Sequence, residues 1–518
     1  MTKLPIFLVI ACALGSAVLA GAQTGGPFEA AAWTTPANAV DTAVVATLKK
    51  QGLDLGKPCS DEVFVRRVFL DVIGTLPQPQ QVQAFLQDKR PHKRAALIDA
   101  LLTRDEFADY WALKWCDLLR VKSEFPINLW PNAVQAYHRW IRDSIRDGQP
   151  YDQFARELLT SSGSNFRVPP ANFYRAIQGR DPGAISRAVA LTFMCTRLEN
   201  WPEAKRTQMA AFFSRVAYKP TGEWKEEIVY LDPAASGALK ATLPDGTAVV
   251  IPANQDPRQA FADWLVTPAN PWFNRAICNR AWYWLMGRGI IHEPDDIRAN
   301  NPPACPDLLT LLEKELVKSR YDLRQVFRLI LNSRTYQQTA PGGNPADDRA
   351  AFAHYQVRRL DAEVLADALA WIGGSGDDYS SPIPEPFTFI PREQRTISLA
   401  DGSITSQFLE TFGKPSRDTG LESERNNNAT DAQRLYLLNS KDMRLKIENS
   451  PLLRDLVAKS RPDQVVPGVY MIVLSRPPTA TELATAQKYF QTSRLPGRQA
   501  VNDLAWSLIN TKEFLYRH

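Results

Sequence analysis

Histidine is scarce in this chain, five in 518 residues, and methionine and cysteine stand at six each. His92, His138, His292, His354 and His518 are widely separated, and none has a second histidine at helical spacing. A histidine-rich metal centre therefore has no basis in the sequence. No Gly-x-Ser-x-Gly elbow occurs, so a Ser-His-Asp hydrolase has little to rest on. The cysteines are too few and too scattered for a dense disulfide framework. Charge of one sign never accumulates: 61 Lys and Arg are interspersed with 56 Asp and Glu. Without a basic stripe, nucleic acid is excluded as a partner. Beyond residues 4–20 no apolar run is long enough to span a bilayer, and no internal repeat is found.

What remains is a globular chain. With 44% hydrophobic and 10% aromatic residues it can bury large cores, and its length suits two or three domains. Lys3, the apolar run 4–20 and the small-x-small triplet Ala20-Gly21-Ala22 before Gln23 read as a cleavable signal peptide, 1–22. The run is shorter than the roughly twenty residues of a membrane anchor. A lipobox reading of Val9-Ile10-Ala11-Cys12 is weaker, because the apolar stretch before Cys12 is very short. The expected location is periplasmic or extracellular. Cleavage removes one charge, Lys3, taking the formal net charge from +5 to +4. It leaves Cys59, Cys116, Cys195, Cys278 and Cys305, an odd number, so at least one thiol is free or intermolecular. Cys116 and Cys278, set among aromatics on helical patterns, read as small buried hydrophobes.

Periodicity gives a mainly α fold, two helical-bundle domains packed together with a small β insert between them. Residues 23–217 form the first domain, 218–255 the insert and 256–518 the second. Thr103 with Glu106 suggests a capping box, and Asp322 with Gln325 another helix start. Residues 224–231 and 241–251 are β-branched and alternating, with Pro244-Asp245-Gly246 as a turn. Asn270-Pro271 starts a helix over 272–286 that is apolar nearly all round. Arg275 and Arg280 on it must find acidic or carbonyl partners, since a buried unpaired guanidinium costs several kcal/mol, an order of magnitude only. Residues 381–391, with four prolines, suggest an extended polyproline crossing.

The run 64–77, which ends in Gly74-Thr75-Leu76-Pro77, resembles the N-terminal domain of planctomycete cytochrome-associated exported proteins. Tyr110-Trp111-Ala112, Asp117-Leu118-Leu119-Arg120 and 150–159 continue the likeness. Phe261-Ala262-Asp263-Trp264-Leu265, 270–275, 284–290, 358–363 and 431–440 resemble the companion C-terminal domain. The resemblance implies an exported protein of environmental bacteria, often encoded with cytochrome-type or sulfatase-like partners. Both domains are of unknown function, so no catalytic residues carry over. Many members carry Cys-x-x-Cys-His-x-His-Pro in the first domain, a spacing that could attach haem. Here the matching segment 195–202 keeps Cys195 and Pro202 but lacks the second cysteine and both histidines. Covalent c-type haem is thus disfavoured, and no cofactor is expected.

The strongest functional lead is the loop 413–428, broken by Gly413, Pro415 and Gly420. Arg417, Asp418, Glu422, Glu424, Arg425, Asn426, Asn427 and Asn428 could form a polar pocket for an anionic or polyhydroxyl ligand. Arg forks suit sulfate or carboxylate, Asn suits hydroxyls, and paired carboxylates could serve as acid and base. The bland reading is a solvated loop tied by its own salt bridges. Asp401 and Ser403 upstream could add a hydroxyl or simply cap a helix. His292, Glu293, Asp295 and Asp296 form a poor metal set, interrupted by Pro294, and read better as a turn held by local acids. The function expected is non-catalytic: a binding or accessory protein at the cell envelope, linked to polysaccharide or sulfated-glycan handling, with an envelope protein or glycan as partner. The alternative is a glycan-directed hydrolase using Asp418, Glu422 or Glu424. An electron-transfer partner would need a bound cofactor that the sequence does not provide.

Overall fold

The computed structural model describes residues 27–235, 237–340, 352–391, 393–493 and 495–518. The signal-peptide reading of 1–22 and the lipobox at Cys12 lie outside the described residues. Helices dominate, and the strands are few and short.

Local chemistry explains most helix starts. Ser60 Oγ accepts from Val63 N to open Asp61–Val72, and Asp181 accepts from Ala184 N to open Pro182–Met194. Asn270 Oδ1 accepts from Trp272 N and Phe273 N, opening the expected helix Phe273–Met286. One cap differs from expectation. Thr103 ends the helix Lys93–Leu102, where its hydroxyl donates back to Ala100 O, while Glu106 pairs with Arg104 beside it. The threonine is thereby spent on the preceding turn, and Asp105–Leu118 starts without a side-chain cap.

The β insert begins slightly early. Val216–Pro220 and Glu227–Leu231 pair antiparallel, with Gly163–Ser164 on the far edge of the second. Leu239–Thr242 and Ala248–Ile251 form a hairpin around Asp245-Gly246. Residues 381–391 do not run extended. The Pro384 carbonyl accepts from both Phe387 N and Thr388 N, folding the segment into a tight turn.

One hydrophobic core runs from Val40 to Phe514 and includes residues of both helical halves. Trp111 and Trp115 of the first half meet Trp284 of the second at 5.3 and 6.2 Å between centroids, and Trp111 meets Phe327 at 4.4 Å. The final strand Tyr516–Arg517 pairs with Arg358–Arg359. Arg66 and Arg67, on the same helix as Asp71, donate to the carbonyls of Val473, Phe514 and His518, so the second half is anchored on the first. Arg275 finds Glu313 at 2.9 Å, and Arg280 finds Asp295 at 2.7 Å together with the Leu191 and Thr192 carbonyls. Both are paired, but only Arg280 is buried; the Arg275 side chain is 38% exposed, so its pairing was not required. Cys59, Cys116, Cys195, Cys278 and Cys305 are all buried and free.

Candidate functional site

The 413–428 loop closes on itself. Gly413 has φ +80° and lies so near Asn426 that a Cβ there would stand 2.0 Å from the Asn426 carbonyl oxygen. Glu424 staples the interior of the loop, accepting from Ser416 Oγ, Asp418 N, Thr419 N and Thr419 Oγ1. These bonds hold its carboxyl below the usual range even though burial pushes the other way.

Most of the loop's charge points inward, onto side chains of the first half and of the helix Ala362–Gly373. Arg417, only 1% exposed, donates to Asp117 at 2.9 Å and to the Ala400 carbonyl at 2.7 Å. Arg425 spans Asp117 at 2.6 Å and Glu363 at 2.5 Å. Burial opposes both charges, yet the facing carboxylates outweigh it and hold both guanidiniums above their ordinary pKa. Asn427 Nδ2 donates to Asp361, and Arg359 donates to the carbonyls of Asn426 and Asn427. Asn426 also accepts from Asn428 N, so the three asparagines shape the end of the loop. Asp361 in turn receives Lys114 and Arg517, and Arg517 reaches Asp71. The whole forms a buried ionic seam between the two halves.

Glu422 takes a different path. Its backbone N–H donates to Asp295, its carboxyl accepts from Trp284 Nε1 at 2.8 Å, and Arg280 lies 3.8 Å away. Burial, and then the neighbouring Asp295 charge, push its pKa up to about 7. The 413–428 loop and the Phe273–Met286 helix thus touch, through Glu422, Trp284 and Arg280, at a closed contact.

The open space lies on the other side of the loop. A cleft of about 740 Å³ is bounded by Asp418, Thr419 and Leu421, by 177–200 with the turn Leu198–Asn200, and by Asp296 and Arg298. Four arginines line it: Arg120, Arg187, Arg197 and Arg298. Its three acids are already matched. Glu199 lies 4.0 Å from Arg187, Asp296 3.0 Å from Arg298, and Asp418 2.7 Å from Lys122. Arg120 and Arg197 are left over. Arg120 is 5% exposed; its Nε donates to the Thr419 carbonyl, its Nη1 has no partner, and no carboxylate among the described residues ion-pairs with it. Gly420, at φ +74°, leaves room for it, since a Cβ there would lie 2.9 Å from the guanidinium carbon. Burial lowers the Arg120 pKa to about 10, which still leaves it charged at neutral pH. Arg197 Nε is likewise buried without a partner.

Of the eight loop residues expected to bind ligand, Asp418 alone lines this cleft. Arg417, Arg425 and Asn427 belong to the seam, Glu424 and Asn426 to the loop's own bonding, Glu422 to the Arg280–Asp295 contact, and Asn428 sits exposed at the loop's end. Arg120 and Arg197 were not singled out from sequence. Both lie in stretches of family likeness, but nothing in a linear sequence marks which arginines lack an acid. His292 faces Glu293 at 3.5 Å, and Asp295 and Asp296 are taken by Arg280 and Arg298.

The comparisons with known proteins agree with the division into halves. Residues 39–217 match PSCyt2, a family described as a protein of unknown function (DUF1549), and residues 257–490 match PSD1, also a protein of unknown function (DUF1553). The chain carries both of these domains, one in each half. No curated protein and no solved structure matches it. The cleft is built mainly from the PSCyt2 segment and closed by the PSD1 segment. Its rim includes the positions where the PSCyt2 resemblance places Cys-x-x-Cys-His. Cys195 caps the helix Pro182–Met194 with its thiol buried against the Ala276 carbonyl at 3.8 Å, and burial pushes that thiol up to about 12. Leu198, where the second cysteine would stand, is also buried, while Glu199 and Asn200 face the cleft.

Proposed function

We propose that this PSCyt2–PSD1 protein is a non-catalytic binding protein of the cell envelope that takes an anionic sugar, sulfated or carboxylated, in the cleft between the two halves. The observation that carries this reading is the pair of guanidiniums without an ion-pair partner among the described residues, Arg120 and Arg197, on a cleft whose other charges are matched. A buried guanidinium without a counter-charge is costly, and an anion arriving from solvent removes that cost. Arg forks fit sulfate or carboxylate oxygens, while the exposed amides of Gln178 and Asn200 on the same cleft suit sugar hydroxyls. The cleft has the size of small-molecule sites and lies at a domain seam, where such sites concentrate.

The hydrolase alternative finds less support. Asp418 is spent on Lys122, Glu424 on four donors, and Glu422 is buried behind Trp284, so no carboxylate of the loop is free to act as acid or base in the cleft. Export fits the leader read in the sequence, and among the described residues no helix is long and apolar enough to cross a membrane.

The test is calorimetric titration of the leaderless protein with a sulfated oligosaccharide and with its desulfated counterpart. Binding of the sulfated form, lost on desulfation and weakened by salt, supports the reading. Equal binding of both forms, or none, rejects it.

A further inference from the structure

On another face, a second cavity of about 820 Å³ opens between Thr75, Leu76, Gln78 and Gln81 of the first half and residues 367–378 and 393–395 of the second. It adjoins a further hollow of about 660 Å³ between Gln78–Gln83 and the helices Pro451–Lys459 and Pro462–Leu474. Trp371 and Gln78 line both, so the two hollows adjoin at the indole, as the two lobes of a groove. Trp371 is half-buried, and its N–H has no acceptor among the described residues.

The charges along this groove are arranged opposite to those of the arginine cleft. Arg104 is taken by Glu106, and Arg395 by Asp367 at 3.5 Å and by the Thr75 hydroxyl. Asp367 also accepts from Thr396 N and Ile397 N, and Asp377 accepts from Ser406 Oγ. Asp378 and Glu393 remain, exposed and with carboxylates unpaired among the described residues. Free acceptors, side-chain amides and one free indole in a two-lobed groove make a poor site for an anion. They make a good one for a neutral polyhydroxyl chain: carboxylates and amides take hydroxyl hydrogens, and the indole offers an apolar face with a polar edge.

We infer that this groove is a second binding site, for a neutral oligosaccharide lying across Trp371, separate from the anion cleft and independent of it. Because each wall comes from a different half, the site exists only when the halves are docked.

The experiment is titration of the leaderless protein with four neutral hexasaccharides, cello-, malto-, laminari- and chitohexaose. At least one should bind with Kd below about 1 mM, and Trp371→Ala should weaken it roughly tenfold. Gln78→Ala with Gln81→Ala, at the groove's lip, should also weaken it, whereas Arg197→Ala should not. If Trp371→Ala fails to fold, the glutamine pair decides. No binding of any hexasaccharide at about 1 mM, or binding that both the tryptophan and glutamine variants leave unchanged, overturns the inference. Neither result touches the anion reading, which rests on a sulfated probe and on Arg197.

Discussion

Arg425 of the second half sits 2.6 Å from a carboxylate oxygen of Asp117 in the first, and Arg417 holds the other oxygen at 2.9 Å. The loop that looked most like a ligand site is therefore fastened to the opposite half at its two arginines, and just beyond it lie Arg120 and Arg197, which have no ion-pair partner among the described residues.

Arg425→Ala leaves Glu363 and part of Asp117 buried without a counter-charge. The expected loss is about 3–5 kcal/mol of unfolding free energy in urea, with Arg417→Ala in the same direction. A loss under about 1 kcal/mol for both, the range of exposed pairs, would show that the seam is solvated and weak.

The two halves should not fold apart. Separation strands Asp71 and Asp117 on one side and Arg358, Arg425 and Arg517 on the other, and exposes Trp111, Trp115 and Trp284. Residues 23–255 and 256–518 expressed separately are expected to lack cooperative melting, which circular dichroism reads directly. Two halves that each melt cooperatively would contradict the shared core.

Glu422 sets a pH signature. Its folded pKa of about 7 lies above the ordinary 4.5. Below pH 4.5 both states hold the proton; between 4.5 and 7 the unfolded chain loses it while the folded chain keeps it, so this group's contribution falls as pH rises, by about 3 kcal/mol in all. His138 and His518, lowered chiefly by burial to about 3 and about 4, act oppositely: their contribution is complete above pH 6.5 and fades on acidification. Glu422→Gln keeps an acceptor for Trp284 and isolates the first effect. Relative to the parent it should gain stability between pH 5 and 8 and differ little below pH 4.5. A difference independent of pH would refute the assignment.

The cysteines should be inert. Burial raises the Cys116 and Cys195 thiols to about 12 and lifts Cys278 well above its usual value, and all five described cysteines are buried and free. A thiol reagent should count none in the native leaderless protein and five after denaturation. Fewer than five after denaturation would reveal a disulfide.

Sequence went far where the signal is local. Asn270 before Pro271 placed a helix start, Pro244-Asp245-Gly246 placed a hairpin, and the apolar surroundings of Arg280 required a partner that duly appears. It misjudged two local contacts, each a choice between near neighbours, and it could not reach partners that are distant. Thr103 looked like a cap for the helix ahead but bonds to the turn behind, and the prolines of 381–391 fold around a carbonyl that composition does not reveal. The candidate site was half legible: the 413–428 loop does border a cleft, yet its arginines are matched by Asp117 and Glu363, which lie 300 and 62 positions away from Arg417 and Arg425. Which guanidinium stays unmatched emerges only when the chain is folded.

The most direct measurement is titration of the leaderless protein with a sulfated oligosaccharide, comparing the parent with Arg197→Ala and Arg120→Met. Loss of a charge-assisted bond of about 1.5–3 kcal/mol predicts roughly tenfold to hundredfold weaker binding in each variant, and Arg197, at the half-exposed rim, should leave the melting temperature nearly unchanged. Undiminished affinity in a folded Arg197→Ala protein would contradict the account.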